Sequence, residues 1–407
     1  MKYIIAVLII LFASFADIFL YRINIIPVQP AYFLIPFFLV VCALKYSTLN
    51  LIDIFKTHTS KFFIAILVFS IVYAAFSPAS TEIIKQEIVL NIIAIVFYIF
   101  AVHFFRTENK KLVFMVILSS FIVLAGSLWY DFFIGLPKYN LKLSEAVRKG
   151  GFGENPNQSA SAMKFLAIGV LVFLNKLKNK RIVFILVLVI SIFLTFSRSG
   201  IVSVILIIML GTANNWSHKF DIEPPKLIKS LFKMAFLFAV LYLALILLAG
   251  IIKENFPAFT RGAAGERIDL LTGQSKKRRV VSGTSATSGR GDLLLNFLDD
   301  FMAKPLGYGT GFTTDKKYNS LNTHNHYLYI AVNFGILALI LYFVYLGYGL
   351  NLSYKSNQFY YLIFVILLMA EGFVTHHIFY NRSMLISLAF FDSLIYKRLN
   401  ASNTSVV

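Results

Sequence analysis

Residues 182–214 read IVFILVLVISIFLTFSRSGIVSVILIIMLGTAN, two apolar runs parted by Ser197, Arg198 and Ser199. Neither run alternates polar with apolar residues, so neither is a strand of a lipid-exposed barrel. Continuous apolar runs mean helices, because every backbone N–H and C=O in hydrocarbon must be paired within the segment. Each run falls short of the ~20 residues that cross ~30 Å of lipid. They are therefore two short spans or one broken, re-entrant element, and both readings embed the chain in a membrane.

Similar runs lie near 3–20, 30–46, 62–77, 86–105, 112–132, 159–175, 231–252, 326–350, 358–377 and 382–396. Together they predict about twelve crossings. A chain of 407 residues with 14% charged side chains and mean hydropathy +0.76 fits that reading. The expected fold is all-α, a polytopic membrane protein. Helices over 1–252 and 326–407 flank a loop region at 253–325 that contains short helices, all in one integrated membrane domain. Lys2 and the apolar run ending in Ala13, Ser14, Phe15 and Ala16 resemble a signal peptide, but the continuation into a second span favours an uncleaved first helix. Cys42 is the only cysteine, which excludes disulfides and thiolate metal sites within one chain.

Lys and Arg in the short connections set the orientation. One set of alternate loops holds Lys45, Lys56 and Lys61; Arg106, Lys110 and Lys111; Lys176, Lys178, Lys180 and Arg181; Lys219, Lys226 and Lys229; Lys355; and Lys397 and Arg398. The opposite short loops hold only Arg22, Lys85, Arg198 and Arg382. The basic set belongs on the cytoplasmic side, so both termini are expected inside and residues 133–158 and 253–325 outside. The formal net charge of +19 is spread over both faces and no nucleic-acid module is present, which argues against nucleic acid as a partner. Anionic lipids and phosphorylated lipid-linked substrates suit it better.

Four polar clusters fall on the outer side. The first runs from Arg148 through Lys149, Gly150, Gly151, Phe152, Gly153 and Glu154 to Asn155, Pro156 and Asn157. Its glycines permit close backbone approach, and Asn-Pro-Asn is a turn that can cap the next helix. The second is Ser197 to Gly200. An arginine between lipid-length runs either snorkels or serves as a fixed cation for a phosphate. The third, in the long loop, contains Arg261, Arg267, the run Lys276 to Arg279, which reads as solvated, and Ser288-Gly289-Arg290. The residues after Arg290 start an amphipathic helix, and a helix N-terminus together with arginine favours anions.

The fourth cluster is Thr323, His324, Asn325, His326 and Tyr327. Histidine takes a proton from a hydroxyl near neutral pH, and Asn325 can orient a ring or sugar, while a plain helix cap would also explain the polarity. Residues i and i+2 diverge on a helix, so His324 and His326 make a poor metal pair. His376 and His377, near Tyr380 and Arg382, either line the same cavity or anchor the chain at the interface, and the anchor reading is favoured. Asp299 and Asp300 read as a solvated face.

Taken in order, these pieces resemble the O-antigen ligase and O-antigen polymerase superfamily of bacterial inner-membrane glycosyltransferases. The resemblance spans about residues 148–345 and rests on the Asn-Pro-Asn segment, Ser-Arg-Ser-Gly, Ser-Gly-Arg, the Pro305-Leu306-Gly307-Tyr308-Gly309 stretch, and His324-Asn325 followed by Gly335. It implies transfer of a glycan from undecaprenyl-pyrophosphate to a sugar hydroxyl on the periplasmic face, with no cofactor and no metal. His324 would be the general base, and Arg198 and Arg290 would bind the pyrophosphate. Asn325, His326, Arg148, Asn155 and Asn157 are supporting candidates. The ligase branch, with lipid A–core as acceptor, is favoured. Departures after Arg198 and at Ala338 leave a polymerase open, and a transporter of lipid-linked glycans is the alternative of another class.

Overall fold

The computed structural model describes residues 1–27, 30–46, 53–137, 149–153, 155–221, 290–319 and 321–404, with fragments between 225 and 243. Regular structure among these residues is helical. The elements are α1 (Lys2–Ser14), α2 (Ala16–Arg22), α3 (Ala31–Lys45), α4 (His58–Ala74), α5 (Thr81–Thr107), α6 (Lys110–Phe133), α7 (Pro156–Leu174), α8 (Lys178–Leu194), α9 (Arg198–Ala213), α10 (Arg290–Ala303), α11 (His326–Lys355), α12 (Phe359–Gly372) and α13 (Arg382–Thr404). The protein is thus a helical, polytopic membrane protein.

The described residues do not bear out the count of about twelve crossings. Only α5, α6, α7 and α11 are long and apolar enough to cross a membrane, or five spans if α1 and α2 form one. The reason is length. The first run breaks at Phe15, whose backbone is left-handed (φ 60), and α4, α9 and α12 are apolar but only 17, 16 and 14 residues long. Most of the expected span at 231–252 and the loop residues 253–289 lie outside the described residues.

The chain divides into two compact units. The first comprises Met1–Ala13, Ala31–Val116 and Gly283–Val407, and the second Ser14–Pro30 and Ile117–Ser282. In the first, α5 packs against α3, α4 and α13, and α11 against α4, α10 and α12. Its core is aromatic: Phe62 stacks on Tyr345 with ring centroids 4.3 Å apart, and Phe63 meets Tyr98 edge-on at 5.3 Å. Cys42 is buried in α3. In the second unit α7, α8 and α9 pack pairwise. The opening stretch is therefore two helices, α8 and α9, separated at Thr195 to Ser197.

One departure from regular helix positions the site. α11 is broken at Gly335, with φ 76 and ψ −174, a conformation closed to residues with a side chain. The break unpairs backbone groups that lipid could not satisfy, and residues 305–309 supply the partners. Tyr308 N–H donates to Val332 O (2.8 Å), Gly309 N–H to Asn333 O (2.9 Å), and Ile336 N–H to Pro305 O (2.9 Å). The backbones meet so closely that a Cβ on Gly307 would lie 2.7 Å from Asn333 O. The Pro-Leu-Gly-Tyr-Gly stretch is therefore a stitch across a broken helix.

Candidate functional site

α11 starts in the first unit because Asn325 caps it: the side-chain carbonyl accepts from Leu328 N–H at 3.1 Å. That fixes the directions of its neighbours. His324, in the left-handed region (φ 47), is half-buried just ahead of the helix. His326, 4% exposed, turns inward, its Nδ1 2.6 Å from the carbonyl of His376. Both histidines meet His376, His324 at its ring and His326 at its carbonyl. Among the described residues, no three His, Cys, Asp or Glu side chains are grouped to hold a metal.

His376 and His377 join this cluster, which corrects their reading as interfacial anchors. The His376 ring stands edge-on to His324 (centroids 5.7 Å apart) and its Nε2 lies 3.1 Å from Asn322 Nδ2. His377 packs between Tyr329 (4.5 Å) and Tyr380 (4.8 Å). Both imidazoles are held neutral. Burial, then the neighbouring His377 and His324, pushes His376 down to about 3, and burial, then His326, pushes His377 down to about 3.

The loop leading to His324 is fastened to the α4–α5 turn. Asp315 accepts from Ser80 N–H (2.8 Å) and from Lys317 N–H (2.9 Å), and these amides hold its carboxyl below the usual range. Ser77 Oγ donates to Thr310 O, and Thr310 Oγ1 to Ser70 O, at 2.7 and 2.6 Å. α10 joins the same framework, its Phe297 packed with Phe312 and Val332. That places the backbone of Arg290 at the N-terminus of α10, as the amphipathic pattern predicted. Asp299 is exposed on this helix, in keeping with a solvated face.

Sequence reasoning passed over Glu87. It lies within α5, 4% exposed, and accepts from Tyr329 Oη (2.9 Å), Tyr380 Oη (2.8 Å) and Thr314 Oγ1 (3.1 Å). The signal was an acid inside an apolar run with Asn91 one turn further on. A cavity of about 20 Å³ beside it, lined by Phe62, Ile66, Asn91, His326, Tyr329 and His377 among others, has room for one water and none for a sugar.

The remaining candidates belong to the second unit. Asn155 caps α7, its Oδ1 accepting from Asn157 N–H at 3.0 Å, with Pro156 in the first turn. The glycine-rich segment ahead of it rests on the buried carboxylate of Asp131, which accepts from the N–H groups of Gly150 (3.1 Å) and Gly151 (3.0 Å). The turn-and-cap reading thus describes this segment. Arg148 lies outside the described residues, as do Arg261, Arg267 and the run 276–279. Arg198 opens α9, exposed, behind the cap Ser197, whose Oγ accepts from Gly200 N–H at 3.3 Å.

A polytopic helical membrane protein with a histidine cluster at the head of one span and an exposed arginine at the head of a shorter apolar helix is the class these features define. Residues 182–343 match the family model described as O-antigen ligase. That match, over about two fifths of the chain, supports the resemblance to the O-antigen ligase and polymerase superfamily, and it contains Arg198, Arg290, His324, Asn325 and His326. No curated protein matches the chain.

Proposed function

We propose that this protein is an O-antigen ligase that transfers a glycan from undecaprenyl-pyrophosphate to a sugar hydroxyl of lipid A–core, at the periplasmic face of the bacterial inner membrane. His324 acts as general base on the acceptor hydroxyl, and Arg198 and Arg290 bind the departing pyrophosphate. A planar, permanently charged guanidinium suits that leaving group, and displacement opposite it inverts the anomeric centre. The observation that carries the reading is the division of labour at the head of α11. Asn325 caps the helix and His326 meets the His376 carbonyl, while half-buried His324 stands edge-on to the His376 ring within the family-matched segment.

Purified protein in liposomes, given a polyprenyl-diphosphate-linked glycan and lipid A–core, tests this. The expected product is glycan joined to the core with release of polyprenyl diphosphate. Lengthening of carrier-linked glycan instead would make the protein a polymerase, and movement of the lipid without a new glycosidic bond would make it a transporter. Arg290→Lys should lower transfer sharply, because an ammonium lacks the two-pronged fork that grips a phosphate. Near-normal transfer by that variant would reduce Arg290 to a general electrostatic role.

A further inference from the structure

We propose that Glu87 is a positioning residue of this reaction, a clamp whose carboxylate fixes the three chain segments that hold His324. The proposal rests on the transferase reading above. A carboxylate buried within a span costs several kcal/mol unless it is well hydrogen-bonded, so its presence calls for a role. Its partners come from three places far apart in the chain. Thr314 belongs to the loop before His324, Tyr329 to the first turn of α11, and Tyr380 to the turn after α12. His377 Nε2, in that same turn, lies 3.7 Å from Glu87 Oε1.

Those segments surround the proposed base. The turn that Glu87 holds through Tyr380 and His377 presents the His376 ring to His324 and the His376 carbonyl to His326 Nδ1. Asn322, two residues before His324, bonds the same His376 ring. Cutting the clamp would take the carboxylate acceptor from the buried Tyr329 hydroxyl and the half-buried Tyr380 hydroxyl and let the 376–380 turn move relative to α11. Glu87 is 4% exposed, and the small cavity lined by its partners Tyr329 and Tyr380 admits only a water, so the carboxylate acts through these neighbours and not by touching substrate.

The test uses full-length Glu87→Leu, Glu87→Gln and Tyr380→Phe in liposomes, with a polyprenyl-diphosphate-linked glycan as donor, and hydrogen exchange read over residues 322–330 and 374–381. Glu87→Leu should lower kcat about 10- to 100-fold, as small misplacements of catalytic groups do, with donor KM unchanged. Glu87→Gln, which keeps an acceptor for both tyrosines, should recover most of that loss. Tyr380→Phe should lower kcat alone but add little in the Glu87→Leu background, because both cut one network. Exchange should quicken in both segments in Glu87→Leu, and in Tyr380→Phe should Glu87→Leu fail to fold. Wild-type kcat in Glu87→Leu, a loss confined to KM, multiplicative losses in the double variant, or unchanged exchange would each overturn the clamp. Absence of transfer by the wild-type protein would instead overturn the transferase reading, and quickened exchange would still be scored separately.

Discussion

The turns before α9 and α11 have the same local design, and their described hydrogen bonds differ in reach. Each carries a left-handed residue, Phe196 (φ 50) or His324 (φ 47), followed by a polar cap, Ser197 or Asn325. The described hydrogen bonds at the Arg198 turn include two short-range ones: Thr195 Oγ1 accepts from Ser197 N–H (3.1 Å), and Ser197 Oγ from Gly200 N–H (3.3 Å). Around His324 the bonds reach across the chain, to His376, to the Glu87 clamp, and through the 310–315 loop to Ser70 and Ser80. A group that only grips a charge tolerates local support, because a guanidinium reaches its phosphate from many rotamers. A base must stay within hydrogen-bond reach of one hydroxyl, and that demands a braced frame.

The contrast breaks hardest at the stitch. Gly335→Val forces a side chain into φ 76 and into the Leu306 carbonyl, where a Cβ would lie 2.5 Å away. Backbone strain of about 1–3 kcal/mol plus that collision should abolish folded, membrane-inserted protein, measured as the monodisperse yield in detergent. Normal yield would show that the break in α11 is not needed.

Acid should loosen the His324 frame next. His376 and His377 have their pKa lowered from 6.5 to about 3 in the folded protein, so below pH 6.5 the unfolded chain binds more protons than the native one. Their contribution is complete above about pH 6.5 and declines as the pH falls towards 3. The thermal midpoint should fall from pH 7.5 to pH 5, and a His376→Asn, His377→Asn double variant should flatten that fall. A midpoint that drops equally in both proteins would place the acid sensitivity elsewhere.

The smallest effect belongs to the locally built turn. Ser197→Ala should cost about 1 kcal/mol, the usual worth of a helix cap, read as a modest drop in thermal midpoint. A loss as large as that of Gly335→Val would mean that the Arg198 turn is braced by more than its own residues.

What the sequence disclosed follows the same division. Helix starts at Asn155 and Asn325 were legible because a cap is written within three residues of the bond it makes. The helical class was legible from continuous apolar runs. The described residues do not bear out twelve crossings, since hydropathy counts apolar residues and does not see Phe15 turn left-handed or α12 stop at Gly372. Gly335 was noticed as a spacing mark, but its break depends on a partner segment at 305–309 that no local pattern announces. Glu87 went unread, and the cavity-lining reading of His376 and His377 was passed over for an anchor, for the same reason: the partners lie up to 293 residues away in the chain.

The most direct measurement is single-turnover transfer by His324→Ala in liposomes, with a polyprenyl-diphosphate-linked glycan and lipid A–core, beside its thermal midpoint. We expect a midpoint close to wild type with no glycosidic bond formed, because the proposal assigns the acceptor's proton to this half-buried imidazole. Wild-type turnover from that variant would contradict His324 as the base.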